Sequence, residues 1–169
     1  MSHPVEVLVL ADTHVRADRR RDLPAEVWDA ADRAHLILHA GDVVTGSLLD
    51  DLAARAPLRA VLGNNDAGLE HRLPVEDRVD LDGCTIALVH DAGPARGRGP
   101  RMRRRFPDAD VVVFGHSHLP LDQPGDDGQR LFNPGSSTER RRAPFRSYGL
   151  LTVEEGTLVD HRIVPVPGP

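Results

Sequence analysis

Seven side chains able to bind a cation recur along the chain in the order Asp12, His14, Asp42, Asn64, His90, His116 and His118. They stand in the strings ADTH, AGD, GNND, LVHD and GHSH, each of which follows an apolar run. Imidazoles and carboxylates accept borderline divalent ions such as manganese, iron, zinc or nickel. Brought together, such a set can hold two ions about 3.5–4 Å apart around a shared carboxylate and acidify a water between them. That is the chemistry of phosphate-ester hydrolysis.

The elements around these residues must deliver them to one place. Asp12 ends the run Val5 to Ala11 and Asp42 follows the run Leu36 to Ala40, with a helical segment between, so the unit reads as βαβ with parallel strands. Parallel strands share a C-terminal edge, where open α/β sheets place their sites, and neighbouring strands put Asp12 and Asp42 about 5–10 Å apart. Asp12/His14 and His116/His118 are i, i+2 pairs, which extended backbone presents on one face. Gly41, Gly63 and Gly115 each precede a candidate ligand, where glycine permits a sharp turn or close approach.

Pro24 opens a helix pinned by Val27, Ala31 and Ala34, and Thr45 caps another whose Leu48, Leu49 and Leu52 face inward. Leu58 to Leu62 is a third strand. Beyond it, Arg78–Leu81 and Cys84–Val89 flank the turn signal Asp82-Gly83, so the second half reads as antiparallel β. Arg96 to Phe106 predicts a basic helix, Val111 to Phe114 a strand, Gln123 to Gly128 a turn, and residues 148–164 a closing hairpin before a tail, Pro165 to Pro169.

The ordered set D-x-H, G-D, G-N-x-D, H and G-H-x-H resembles the calcineurin-like metallophosphoesterases, and Asn133-Pro134-Gly135-Ser136 is similar to a loop of their small bacterial and archaeal phosphodiesterase branch. The resemblance implies an α/β protein built as a two-layer β sandwich flanked by helices. It implies a first metal on Asp12, His14 and His118, a second on Asn64, His90 and His116, and Asp42 bridging them, with manganese the first choice. Asp42, Asn64, Asn65 and His90 become the candidate catalytic residues, and Asn65 and Arg141 the candidate substrate contacts, Arg141 as a bidentate phosphate clamp. His39 reads as a supporting residue behind the ligands, whereas His3, His35, His71 and His161 read as surface residues. Two positions depart from the pattern: Asn65 stands where many members of the superfamily carry a proton-donating histidine, and Asp91 follows His90 where glycine is usual.

Two divalent ions, two aspartates and a bridging hydroxide leave a formal charge of about +1, which a phosphodiester monoanion neutralises and a monoester dianion overshoots. The expected activity is therefore phosphodiester hydrolysis on a small substrate. Two alternatives stay open: a non-catalytic scaffold of the same fold, and a nuclease, which would need the arginines at 19–21, 101–105 and 140–142 to form one groove. The net charge of −5 and the lack of interleaved aromatics do not favour nucleic acid. At 169 residues the chain is expected to form one domain, residues 1–169, compatible with a homo-oligomer. A lone Cys84, no leader pattern and no apolar run near the roughly 20 residues of a membrane span point to a cytoplasmic protein without a membrane partner.

Overall fold

A computed structural model describes residues 3–168. Its first half alternates strand and helix: β1 (Val5–Leu10), α1 (Ala25–Arg33), β2 (Leu36–His39), α2 (Gly46–Ala53) and β3 (Leu58–Ala60). β1 pairs parallel with β2, and β2 with β3, as the βαβ reading requires. Pro24 precedes α1, and the Thr45 side chain accepts from the Ser47 N–H at the start of α2. Both are start signals that leave fewer orphan amides at a helix end.

The second half supplies β4 (Glu76–Leu81), β5 (Cys84–Val89), α3 (Arg98–Arg105), β6 (Val111–Val113), β7 (Leu121–Pro124), β8 (Arg130–Asn133), β9 (Ser147–Glu154) and β10 (Thr157–Pro165). Asp82 and Gly83 do form the β4–β5 hairpin turn, both at positive φ. The antiparallel reading of this half holds for β4–β5, β7–β8 and the closing β9–β10 hairpin and is corrected at its centre, where β5, β6 and β8 run parallel. α3 is the crossover that lets β5 and β6 align. The stretch expected as a turn at 123–128 also gives up its first two residues to β7, an edge strand that tolerates Pro124. At the C-terminus β10 takes Pro165 and buries Val166, so the tail is shorter than expected; Pro169 lies outside the described residues.

Two five-stranded sheets result, ordered β10-β9-β1-β2-β3 and β4-β5-β6-β8-β7. Alternate residues of the strands face opposite layers. Leu8, Leu10 and Ile37 pack against Val27, Ala31, Leu48 and Leu52 of α1 and α2. Val7, Val9, Leu36 and Leu38 meet Ile86, Leu88, Val111, Val113 and Phe132 between the sheets. Ala87, Val112 and Leu131 pack on Met102 and Phe106 at α3. The layers are therefore helix, sheet, sheet, helix, a β sandwich flanked by helices. The C-terminal ends of β1, β2, β3, β5 and β6 carry the candidate ligands.

Candidate metal centre

The structure brings all seven candidate ligands to that rim. Asp12, His14 and His118 each offer an atom within 4.8 Å of the others, and so do Asp12, Asp42 and His90. Asp42 reaches both groups: its Oδ2 lies 3.4 Å from His14 Nε2 and 3.5 Å from His90 Nε2. Asn64 Oδ1 lies 2.9 Å from His90 Nε2 and 3.1 Å from His116 Nδ1. Asp12, Asp42, His90 and His118 are buried, whereas Asn64 and His116 are exposed, so the centre opens to solvent on the Asn64–His116 side.

The i, i+2 pairs meet the site, but not by the expected geometry. Asp12 and His14 have φ of 53° and 45°, and His116 and His118 have 73° and 61°. Each pair is two left-handed residues about a single intervening one, not an extended run. Asp42 joins them at 59°. Non-glycine residues occupy this region rarely and at a cost, and they cluster where function over-determines the backbone.

Hydrogen bonds behind the ligands hold these loops. The Asp12 N–H donates to Gly41 O and the His14 N–H to Asp42 O, knitting the β1 and β2 loops together. Gly41, at φ +95°, would push a Cβ to 2.7 Å from His90 Nδ1, and a Cβ on Gly63 would sit 2.2 Å from Asp42 Oδ1. Close approach, more than turning, explains Gly63. His39 is fully buried; its Nδ1 accepts from the Gly41 N–H, so its Nε2 donates to Thr13 Oγ1 at 2.9 Å, between the Asp12 and His14 ligands. Burial and the neighbouring His90 push its pKa down to about 3, in keeping with a neutral supporting role.

Two acidic residues absent from the sequence-based set belong to this framework. Asp66 is buried and accepts from three backbone amides, those of Asp42, Gly63 and Val44, at 2.7–2.8 Å. It is the last residue of the GNND string, and its place beside Asn64 was the available signal. Glu139 lies 3.8 Å from His118 Nδ1 and pairs with both Arg21 and Arg141. Nothing in its local sequence marks it. The Asn133–Ser136 string buttresses the site: Asn133 Nδ2 donates to Gly115 O, and Ser136 Oγ to Asp12 O. Arg141 is exposed at φ 47°, and its positive charge is felt at Asp12, His14 and His118. His35 and His71 are exposed, but His161 is half-buried and bonds Asp122 Oδ2 at 2.6 Å, so it is a tether between β10 and β7 and not a free surface residue.

The two aspartates differ in their surroundings. Both carboxylate oxygens of Asp12 are buried and no group lies within normal hydrogen-bond geometry of them, the backbone amides of His116 and His118 being the nearest donors. His14 Nε2 and His118 Nδ1 are likewise without a well-formed partner. Burial, with Asp42 nearby, pushes the Asp12 carboxyl up to about 8. Burial also lowers His14, and takes His118 down to about 4 with help from Arg141. Burial would raise Asp42 too, but Asn65 donates its N–H to Oδ1 and its Nδ2 to Oδ2, both at 2.8 Å, and with His90 and His14 these hold its pKa below the usual carboxylate value.

The donor set fits divalent ions. His90 Nδ1 faces the Ala40 carbonyl at 2.7 Å and must donate to it. In the neutral ring Nε2 then carries a lone pair, which confronts Asn64 Oδ1 at 2.9 Å. Two acceptors in contact are repulsive unless a proton or a metal cation lies between them. Ligands bonded at about 2.1 Å around one ion stand roughly 3.0–3.4 Å apart, close to the 2.9–3.5 Å separations of Asn64, His90, His116, His14 and Asp42 here. The orphaned oxygens of Asp12 ask for the same partner.

Comparison with known proteins agrees with the geometry. Residues 5–156 match the calcineurin-like phosphoesterase superfamily domain. The chain belongs to this superfamily, a family of metal-using phosphoester hydrolases. A protein of Methanothermobacter thermautotrophicus named probable metallophosphoesterase is 34% identical over 137 residues, covering 79% of this chain and 77% of the relative. A second protein of that name from Methanocaldococcus jannaschii is 33% identical over 162 residues, covering 94% and 80%. In fold the chain is similar to vacuolar protein sorting 29 of Entamoeba histolytica, solved in complex with zinc, at a TM-score of 0.75 with 22% identity over 96% of this chain and 98% of that one.

Proposed function

We propose that the protein is a phosphodiesterase working through two divalent ions, manganese first among them, in the cytoplasm. One observation carries the reading: a buried carboxylate, Asp12, with both oxygens unpartnered and three imidazoles aimed at it and its neighbour Asp42. A buried carboxylate left without partners costs stability unless a cation meets it. Asp12, His14 and His118 would hold one ion, Asn64, His90 and His116 the other, and Asp42 would be shared. Bound there, the ions supply an acidified water as nucleophile and positive charge for the phosphoryl oxygens.

The chain's own residues prepare that chemistry. The His90–Ala40 bond fixes the tautomer and leaves Nε2 free as a donor of electrons. Asn65 aims both oxygens of Asp42 and keeps the carboxylate ionised. Because its amide is committed to Asp42 and has no titrating proton, departure of the leaving group depends on the acidity of that group. Arg141, exposed and with its charge felt at Asp12, His14 and His118, would bind a phosphate oxygen. The residual charge of about +1 at the centre favours a diester monoanion.

The test is metal analysis of the purified protein, then hydrolysis of bis(p-nitrophenyl) phosphate against p-nitrophenyl phosphate with added manganese. Two metals per chain and a higher kcat/KM on the diester are expected. Equal or faster monoester turnover across divalent ions overturns the diester assignment, and a metal-free, inactive chain overturns the hydrolase.

A further inference from the structure

The loop after the first ligand pair builds a second feature that the metal centre does not use. A cavity of about 360 Å³ is lined by His14, Arg16, Asp18, Arg20 and Arg21. His14 belongs to both places: it lines the cavity, and its Nε2 lies 3.4 Å from Asp42 Oδ2, so the cavity adjoins the metal centre.

The charges around it do not balance. Arg21 and Arg141 share one carboxylate, Glu139. Arg20 has only a 3.8 Å pairing with Asp18, with both side chains exposed, which is worth little. The Arg16 guanidinium has no hydrogen-bond or ion-pair partner among the described residues. The lining itself sets three guanidinium groups, Arg16, Arg20 and Arg21, against one carboxylate, Asp18, a surplus of two positive charges in a chain whose net charge is −5. The other arginine cluster offers no comparable surplus at the site: Arg101 donates to the Ala92 and Pro94 carbonyls, Arg103 to Ala109, and Arg105 pairs with Glu76. The clusters at 19–21 and 140–142 meet through Glu139, while that at 101–105 is engaged on its own layer, so a single continuous groove for a nucleic-acid strand is not what the arginines form.

We infer that this cavity is a second anion subsite, and that the substrate is a phosphodiester carrying a separate terminal phosphate. The inference rests on the hydrolase reading above and narrows its substrate class. The two sites are charge-matched to such a molecule. A diester monoanion meets the charge of about +1 at the metal centre, and a phosphate dianion meets the surplus of two at the arginines. Guanidinium groups bind phosphate oxygens in bidentate fashion, so Arg16 and Arg20 are the residues that read the second phosphate. They touch no reacting atom and act on specificity alone.

Two esters that differ in one group test this: the p-nitrophenyl ester of thymidine 5′-monophosphate, and the same ester bearing a 3′-phosphate. The wild type should prefer the 3′-phosphorylated ester by about tenfold in kcat/KM, chiefly through KM, and the preference should shrink as salt rises. Arg16→Ala/Arg20→Ala should bring the ratio of the two kcat/KM values close to one. Arg33→Ala/Arg104→Ala, which removes the same charge elsewhere, should keep the wild-type ratio. Calorimetric titration of the metal-loaded protein with thymidine 3′,5′-bisphosphate and with thymidine 5′-monophosphate reads the subsite without turnover. If neither ester is cut but the bisphosphate still binds about tenfold more tightly, and loses that margin in Arg16→Ala/Arg20→Ala, the subsite stands and the hydrolase reading falls. Equal handling of both ligands by the wild type, or a preference that survives Arg16→Ala/Arg20→Ala, overturns the subsite.

Discussion

Asp12 and Asp42 sit on adjacent strand ends, yet the protein treats them in opposite ways. The Asp12 pole is buried and unfinished, with both carboxylate oxygens left without a hydrogen-bond partner among the described residues. The Asp42 pole is finished before any ion arrives: Asn65 aims the carboxylate, and Asp66 holds the backbone on either side of it. Their pKa values part accordingly, Asp12 rising to about 8 and Asp42 falling. The difference teaches that a metal centre can be half preorganised. One carboxylate is kept charged by the protein, and the other gains its charge when the cation comes.

The largest effect should come from removing the finished pole. Asp42→Asn takes away the negative charge that the two proposed ion sites would share, and its loss of kcat/KM should exceed the roughly 10–100-fold typical of supporting residues. Two bound metals and normal turnover in purified Asp42→Asn, measured by elemental analysis and kinetics, would show that the poles are not bridged. Asp66→Asn should come next. It trades a charged acceptor of three amides for one oxygen, and should cost about 2–4 kcal/mol in denaturant unfolding together with about tenfold in metal affinity. If metal binding is untouched, the preorganisation of the Asp42 pole lies elsewhere.

A third measurement isolates Asp12 through pH. Its carboxyl is raised when folded, so the metal-free folded state keeps a proton that the unfolded chain has released, and stability falls as pH rises from about 4 to about 8. His14, His118 and His39 are depressed, the last two to about 4 and about 3, and act with the opposite sign until pH is about a unit above their unfolded value of 6.5. The Asp12 contribution is therefore read as the difference between wild type and Asp12→Asn. Between pH 6.5 and 8 the metal-free wild type should lose about 1.5 kcal/mol relative to that variant. Parallel stability profiles for the two proteins would show that Asp12 is ionised without metal and that the two poles are alike. The smallest effect expected is that of Asn65→Ala, which removes the side-chain bond to Asp42 but spares the backbone bond. It should lower metal affinity about fivefold, near 1 kcal/mol, and raise the Asp42 pKa, seen as an acid-limb shift in metal binding.

The candidate ligand set was legible because type and order survive in sequence: a carboxylate, imidazole or amide closes each apolar run, and the sandwich places those ends on one rim. What supports the set was less so. Asp66 accepts from loops that only the fold brings together, and Glu139 faces His118 from more than a hundred residues downstream of His14. The left-handed backbone at Asp12, His14, His116 and His118 gives no compositional sign, since glycine, its usual marker, is absent at those positions. β7 and β8 escaped notice because each has four residues and β7 is half polar with Pro124 at its end. The parallel pairing of β5, β6 and β8 was hidden behind the strong hairpin signal of Asp82-Gly83, which speaks for β4 and β5 alone.

Four candidate ligands hang from β1, β2 and β3 of one sheet, and three from β5 and β6 of the other. Any ion held among them is also a rivet through the seam of the sandwich. A ligand that binds only the folded chain adds about 2.7 kcal/mol at a hundred times its Kd. Metal supply would then set how long each copy resists proteolysis as well as how fast it turns over substrate, and a cell short of the ion would lose the protein itself and not merely its activity.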